Sequence, residues 1–304
     1  METSIRTDGL GEMPPMTAGK VVRSYLELTK VRIVLLLLFT TVTAMIVAAN
    51  GIPPFAIVLP TVIGGALSAA GASVINQFID RDMDGKMSRT SRRPIPSGRI
   101  APINALLFGL TLLVWSTLIL GYFVNWLSAM LALAGAAYYV VLYTMMLKRN
   151  TALNIVIGGG AGAVPVLVGW AAVTGTVTLD AWLLFAIIFF WTPPHSWALA
   201  LLVNADYARA GVPMMPVARG EDTTRRQMLW YTVVLIVISV LPLWTAALGG
   251  IYLAAVVALG GGLLFWCIRL IKAKDGATAK RMYKFSTAYL AFLFLAMIVD
   301  RLVL

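Results

Sequence analysis

The chain has 304 residues, of which 60% are hydrophobic and only 12% charged, and its 24 Lys and Arg outnumber 13 Asp and Glu to give a net charge of +11. With a mean hydropathy of +0.87, this composition excludes a water-soluble domain and indicates an all-α polytopic transmembrane bundle. A single cysteine, Cys267, excludes a disulfide framework or a thiolate metal cluster.

Residues 1–22 are polar, contain Pro and Gly, and lack an apolar core. They read as a disordered cytoplasmic tail rather than a cleavable signal, leaving residues 23–304 as a single domain. Nine apolar stretches follow, at about 33–49, 55–78, 103–123, 126–147, 153–173, 181–203, 228–248, 250–271 and 285–304, each sufficient for the roughly 20 helical residues that cross a hydrocarbon core. All but one of the 24 Lys and Arg fall on one face of this layout. The positive-inside rule makes that face, and the N-terminus, cytoplasmic. The expected location is the bacterial cytoplasmic (inner) membrane. Bases placed beside membrane spans are explained by anionic lipid headgroups and topology, not by nucleic acid.

The segment after span two carries the chemistry. Asn76, Asp80 and Asp84 recur every four residues, so a continuing helix lines them up as one oxygen-bearing stripe with neighbours about 5–6 Å apart. Mg²⁺ is held by such ligands together with water and substrate phosphates, and a run of bases follows to neutralise phosphate charge. Arg89, Arg93, Lys148 and Arg149 are the diphosphate-binding candidates. The bland reading of the basic run is a solvated topogenic loop, but three oxygen ligands at the end of a span are costly unless a cation pairs with them. Asp80, Asp82, Asp84 and Gly85 also match the opening of an EF-hand loop, yet its twelfth position, which needs a bidentate Glu, is Ser91. Asn154, near the start of span five, is a phosphate ligand or a helix cap. The glycines from Gly158 to Gly162 lie within a span and lack the Lys-Ser/Thr of a phosphate loop, so they read as close helix packing.

His195, the only histidine, lies inside span six after Pro193 and Pro194, where the helix should kink and free backbone carbonyls. An ionisable group at that depth is a functional candidate, set against a structural core role. Asp206, at the end of span six, completes a second Mg²⁺ site or binds a basic partner. Tyr138, Tyr139, Tyr143, Trp191 and Trp197 offer ring faces to a cation, against a packing role.

The pattern N-x-x-x-D-x-x-x-D-x-x-M-x-R-T-x-x-R-P from Asn76 to Pro94 resembles the first aspartate-rich motif of the UbiA superfamily of intramembrane prenyltransferases. Within it, the stretches Tyr25–Arg32, Tyr143–Gly159, Pro194–Ala200 and Asp206–Val217 resemble the haem-farnesylating branch, and the likeness runs from about residue 23 to the C-terminus. Val31 departs from the Pro often found there. Relatives with other acceptors carry several aspartates after span six, where this chain has Asp206 beside a His-bearing span. The resemblance implies catalytic roles for Asn76, Asp80, Asp84 and His195, the last as an acid/base near the haem vinyl group or as an iron ligand, with Mg²⁺ as cofactor. It implies transfer of the farnesyl group of farnesyl diphosphate, with water, to the 2-vinyl group of haem B, giving haem O and diphosphate. It also allows contacts with other haem-pathway enzymes. The alternatives are the same fold acting on a quinone precursor or chlorin, or a membrane transporter.

Overall fold

The computed structural model describes residues 17–245 and 247–303. The candidate tail therefore lies outside the described residues up to position 16. From Ala18 to Thr29 the chain is helical, so the expectation of disorder to residue 22 does not hold at its end. This leading helix is amphipathic. Leu28 and Ser24 are buried, Tyr25 meets the edge of Phe108 at 4.9 Å, and Arg99 donates to Glu27 at 2.7 Å and Ser24 at 3.3 Å. The helix stops at Lys30, a non-glycine residue at φ 51°, and span one starts at the next residue.

Among the described residues nine helices are long and apolar enough to cross a membrane: Val31–Ala49, Phe55–Ile79, Pro102–Phe123, Trp126–Leu147, Asn154–Thr174, Leu179–Leu202, Glu221–Leu243, Gly250–Ala273 and Gly276–Val303. Spans seven and nine begin seven and nine residues earlier than hydropathy suggests, because their polar first turns stay helical as they leave the apolar layer. Glu221 and Asp222 suit the first turn of span seven, where acids complement the helix dipole.

Span two packs along span three, span one along span five, and span four bridges span two to span five, while spans six to nine form the second half of the bundle with span nine reaching span one. Small residues permit the closest crossings. A Cβ on Gly71 of span two would lie 2.8 Å from the Gly109 carbonyl of span three, the kind of backbone approach that membrane helices achieve with Gly and Ala. Large buried side chains fill the second half, including Trp197, Tyr252, Tyr289 and Phe294.

Two departures from regular α-helix matter to the site. Span four changes at Tyr138 into ten residues of π-helix that run to Leu147; wide turns of this kind are rare and concentrate at functional positions. Span five is interrupted at Gly159 between Asn154–Gly158 and Gly160–Thr174. Span six, in contrast, runs unbroken through Pro193 and Pro194, and the Thr192 hydroxyl donates to the Ile188 carbonyl at 2.8 Å.

At the end away from the aspartate stripe, Asp300 of span nine is 1% exposed. It accepts from the backbone N–H of Gly249 at 2.5 Å and of Tyr252 at 3.0 Å, capping the start of span eight from another helix. Replacing it with Ala strands two buried donors, so Asp300→Ala should lower stability by about 1–3 kcal/mol. Thermal unfolding in detergent checks this, and an unchanged melting temperature would remove the cap from the account.

Candidate active site

The stripe forms, with one bend. Span two ends at Asp80, whose φ −82° and ψ 0° fall outside the helical basin, yet the helical step is kept: Asp80 N–H donates to the Asn76 carbonyl at 2.9 Å and Asp84 N–H to the Asp80 carbonyl at 2.8 Å. Asn76, Asp80 and Asp84 are thus stacked on one face. All three are buried, Asp80 completely.

Each acid is met by a cation from a different part of the chain. Lys148, just past the π-helical segment, donates to Asp80 at 2.5 Å. Arg93, from the loop after the stripe, donates to Asp84 at 2.6 Å. Lys30 donates to the Asn76 side-chain oxygen Oδ1 at 3.1 Å. Burial, with Arg93 and Lys148 close by, brings the Lys30 amine down to about 7. Asn76 donates its amide to Asp80 at 2.8 Å and to the Thr144 hydroxyl at 3.0 Å. The Thr144 hydroxyl donates to the Tyr139 carbonyl five residues back, at 2.8 Å, a carbonyl exposed to it by the π-helical register. A buried carboxylate is tolerable only when paired in this way.

The donor set suits a hard divalent ion. Asp80 Oδ1 is buried without a hydrogen-bond partner, leaving lone pairs for a metal, and the nearest cation on that oxygen, Arg149, stands at 3.8 Å. Among the described residues no group of three His, Cys, Asp or Glu gathers round a single point, so the remaining coordination positions fall to phosphate oxygens and water, as Mg²⁺ prefers.

The other candidates separate. Arg149 is held in a fork by Asp82, at 2.7 and 2.8 Å, and its guanidinium keeps the Asp82 carboxyl down at about 2. Arg89 makes no ion pair among the described residues and is exposed. Asn154 is fully buried, donating weakly to the Lys148 carbonyl at 3.4 Å while its Oδ1 lacks a partner. Asp206 accepts from the Ser88 hydroxyl at 2.8 and 3.0 Å and pairs with Arg209. Those hydrogen bonds hold its pKa below the ordinary carboxylate range and latch the loop after span two to the one after span six. Met83, Met87, Tyr207, Val212, Met214 and Met215 are buried in one cluster beneath the latch.

His195 belongs to another neighbourhood. Its ring lies between Trp191 at 4.2 Å and Tyr283 at 4.8 Å, and Nδ1 contacts the Ser286 hydroxyl at 2.8 Å. That hydroxyl also lies 2.9 Å from the Tyr283 carbonyl, so Ser286 fixes the orientation of the imidazole through Nδ1. Trp197 is fully buried against Tyr231.

Directly beneath the polar cluster lies an apolar cavity of about 190 Å³ among spans one, two, four and five. Lys30 and Tyr139 line its upper part, and Thr41, Gly65 and Val168 line it further along. Of the aromatic candidates only Tyr139 faces it. Tyr143 stacks on Tyr139 at 5.6 Å, and Tyr138 donates to the Ile157 carbonyl at 2.6 Å.

A model of the UbiA prenyltransferase family matches residues 37–297. The chain belongs to that family. It is 52% identical to the protoheme IX farnesyltransferase of Roseiflexus castenholzii over 93% of this chain and 53% of that one. With the protein of the same name from Symbiobacterium thermophilum it shares 50% over 94% and 96% of the two chains. With that of Gloeobacter violaceus it shares 46% over 100% and 99%. The chain thus spans about half the length of the first of these relatives and nearly all of the other two. Among solved structures, digeranylgeranylglyceryl phosphate synthase is similar with a TM-score of 0.78 at 21% identity, covering 94% of this chain and 100% of that one. A UbiA homologue from Archaeoglobus fulgidus, bound to DMAPP and Mg²⁺, has a TM-score of 0.63 at 16% identity, covering 90% and 99%. These two establish the fold.

Sequence reasoning missed Lys30, Thr144 and Ser88. Lys30 carried the one available signal, a base at the edge of an apolar span; the other two are ordinary hydroxyls.

Two expectations follow from this geometry. Asp206→Ala frees Ser88 and should speed tryptic cleavage after Lys86 or Arg89, read by limited proteolysis; an unchanged rate would deny the latch. The depressed Asp82 carboxyl contributes stability above its ordinary value of about 4 and loses it as pH falls to about 2. The stability difference between the parent and Arg149→Met should therefore be largest near neutral pH and narrow on acidification, and a difference that grows in acid would contradict the pairing.

Proposed function

We propose that the protein converts haem B to haem O, transferring the farnesyl group of farnesyl diphosphate to the 2-vinyl group with addition of water and release of diphosphate. The observation that carries this reading is the juxtaposition of the buried Asn76, Asp80 and Asp84 stripe, ringed by Lys30, Arg93 and Lys148, with an apolar cavity that shares Lys30 as lining. A charged head and a long apolar tail need that pair of environments side by side. The names borne by the relatives at 46–52% identity support haem B as acceptor.

Asn76, Asp80 and Asp84 are the proposed Mg²⁺ ligands, and the ion, when bound with phosphate oxygens, supplies positive charge to the leaving group. Lys30, Arg93 and Lys148, each freed from its present partner, stabilise the negative charge that grows as the C1–O bond breaks. Arg149 and Arg89 extend the basic rim. Tyr139 and the apolar walls keep water from the allylic cation. The terminal vinyl carbon then bonds to C1, the cation left beside the porphyrin ring captures water, and a proton leaves. His195, with Nδ1 engaged by Ser286, serves this acceptor half as base or as iron ligand. The basic loops support, through the positive-inside rule, a site on the cytoplasmic face, and the membrane proposed is the bacterial inner one.

The test is incubation of purified protein with haem B, farnesyl diphosphate and Mg²⁺, beside Asp80→Asn and a chelated sample, with the haem followed by mass spectrometry. The parent should form the hydroxyethylfarnesyl haem, Asp80→Asn should be slower by about 100-fold or more, and chelation should stop the reaction. Haem returned unchanged while diphosphate is released with an aromatic acceptor would overturn the haem assignment.

A further inference from the structure

Nearly all the glycines buried in spans four and five are filled by a neighbour. A Cβ on Gly135 would lie 2.9 Å from Val164, on Gly159 2.9 Å from Thr192, and on Gly160 2.8 Å from the Tyr138 hydroxyl. Gly162 differs: a Cβ there would meet no heavy atom within 4 Å, and the residue lines the apolar cavity. Its φ is not in the left-handed region, so the backbone does not require glycine. Glycine within a helix costs about 1 kcal/mol relative to Ala, and no close helix contact explains it here. What the missing side chain leaves is open cavity.

Its depth is informative. Gly162 follows Asn154 by eight residues, at most about 12 Å of rise since span five is interrupted between them, while Lys30 and Asn76, at the proposed diphosphate end, are separated from the cavity residues Thr41 and Gly65 by eleven residues each, about 16 Å. Gly162 therefore borders the part of the cavity that a third isoprene unit would enter and a shorter tail would not fill. Opposite it the lining is also small, with Ser68, Ala69, Ala132 and Ala136.

We infer that Gly162 is a specificity-determining residue, whose absent side chain sets the length of prenyl tail the cavity accepts. This rests on the proposal that a prenyl diphosphate occupies the cavity. A larger side chain at this position shortens the cavity without touching the diphosphate ligands, so it penalises farnesyl more than geranyl.

The test is calorimetric binding of geranyl and farnesyl diphosphate, with Mg²⁺, to the parent, Gly162→Leu and Gly162→Ala. Gly261→Leu is the control, because that glycine is equally open but lies in span eight and does not line the cavity. Gly162→Leu should lower the farnesyl-to-geranyl affinity ratio by about tenfold or more, Gly162→Ala should lower it by a smaller factor, and Gly261→Leu should leave it at the parent value. A ratio unchanged in Gly162→Leu, including one in which both affinities fall together, overturns the inference while leaving prenyl binding intact. Should Gly162→Leu fail to fold, an unchanged ratio in Gly162→Ala overturns it in the same way. A parent that binds neither diphosphate removes the underlying reading of the cavity, and the inference with it.

Discussion

The structure depends on paired charge at the end of span two. Asp80 is fully buried and Asp84 nearly so, and an unpaired carboxylate in such a place costs several kcal/mol. Lys148 and Arg93 supply the compensation, and each arrives through a specific piece of backbone: Lys148 after a π-helical segment, Arg93 on a loop that folds back over the stripe. Lys30 comes to the same cluster from a left-handed joint between the leading helix and span one. The local irregularities of the fold converge on this cluster. Strained or wide-turn backbone of this kind persists where surrounding packing holds it, and the π-helical segment is packed against spans two and five.

The pairing also links structure to chemistry. In the proposed reaction, the cations that balance the acids in this structure would turn to phosphate oxygens once a metal took over the acids, so the charge needed for ionising an allylic diphosphate is already gathered at the site. The apolar cavity begins at Lys30, so the polar and dry halves of the site share a wall. His195 sits apart, between two aromatic rings on spans six and nine.

Much of this was legible in the sequence, for reasons that can be named. The nine spans follow from hydropathy, and the stripe follows from a spacing of four that survives the bend at Asp80 because its backbone hydrogen bonds keep the helical step. Arg93 and Lys148 were readable as bases near acids. The leading helix was lost in a polar segment, since its amphipathic face is short. The π-helical register of Tyr138–Leu147 leaves no periodic signature, and without it Thr144 has no visible reason to meet Asn76, 68 residues away. Asp206 was readable as an acid at a span end, but its bond to Ser88 spans 118 residues and makes it a latch in this structure. Pro193 and Pro194, read as a point where span six would bend, interrupt neither its helical assignment nor its length.

The most direct measurement is an experimental structure with Mn²⁺ in place of Mg²⁺ and a thiolo analogue of farnesyl diphosphate, the ion located by its anomalous signal. The account predicts Mn²⁺ against Asn76, Asp80 and Asp84, the diphosphate among Lys30, Arg93 and Lys148, and the tail between spans one, two, four and five. An ion held elsewhere, or a tail lying outside that cavity with Lys148 still bound to Asp80, would contradict it.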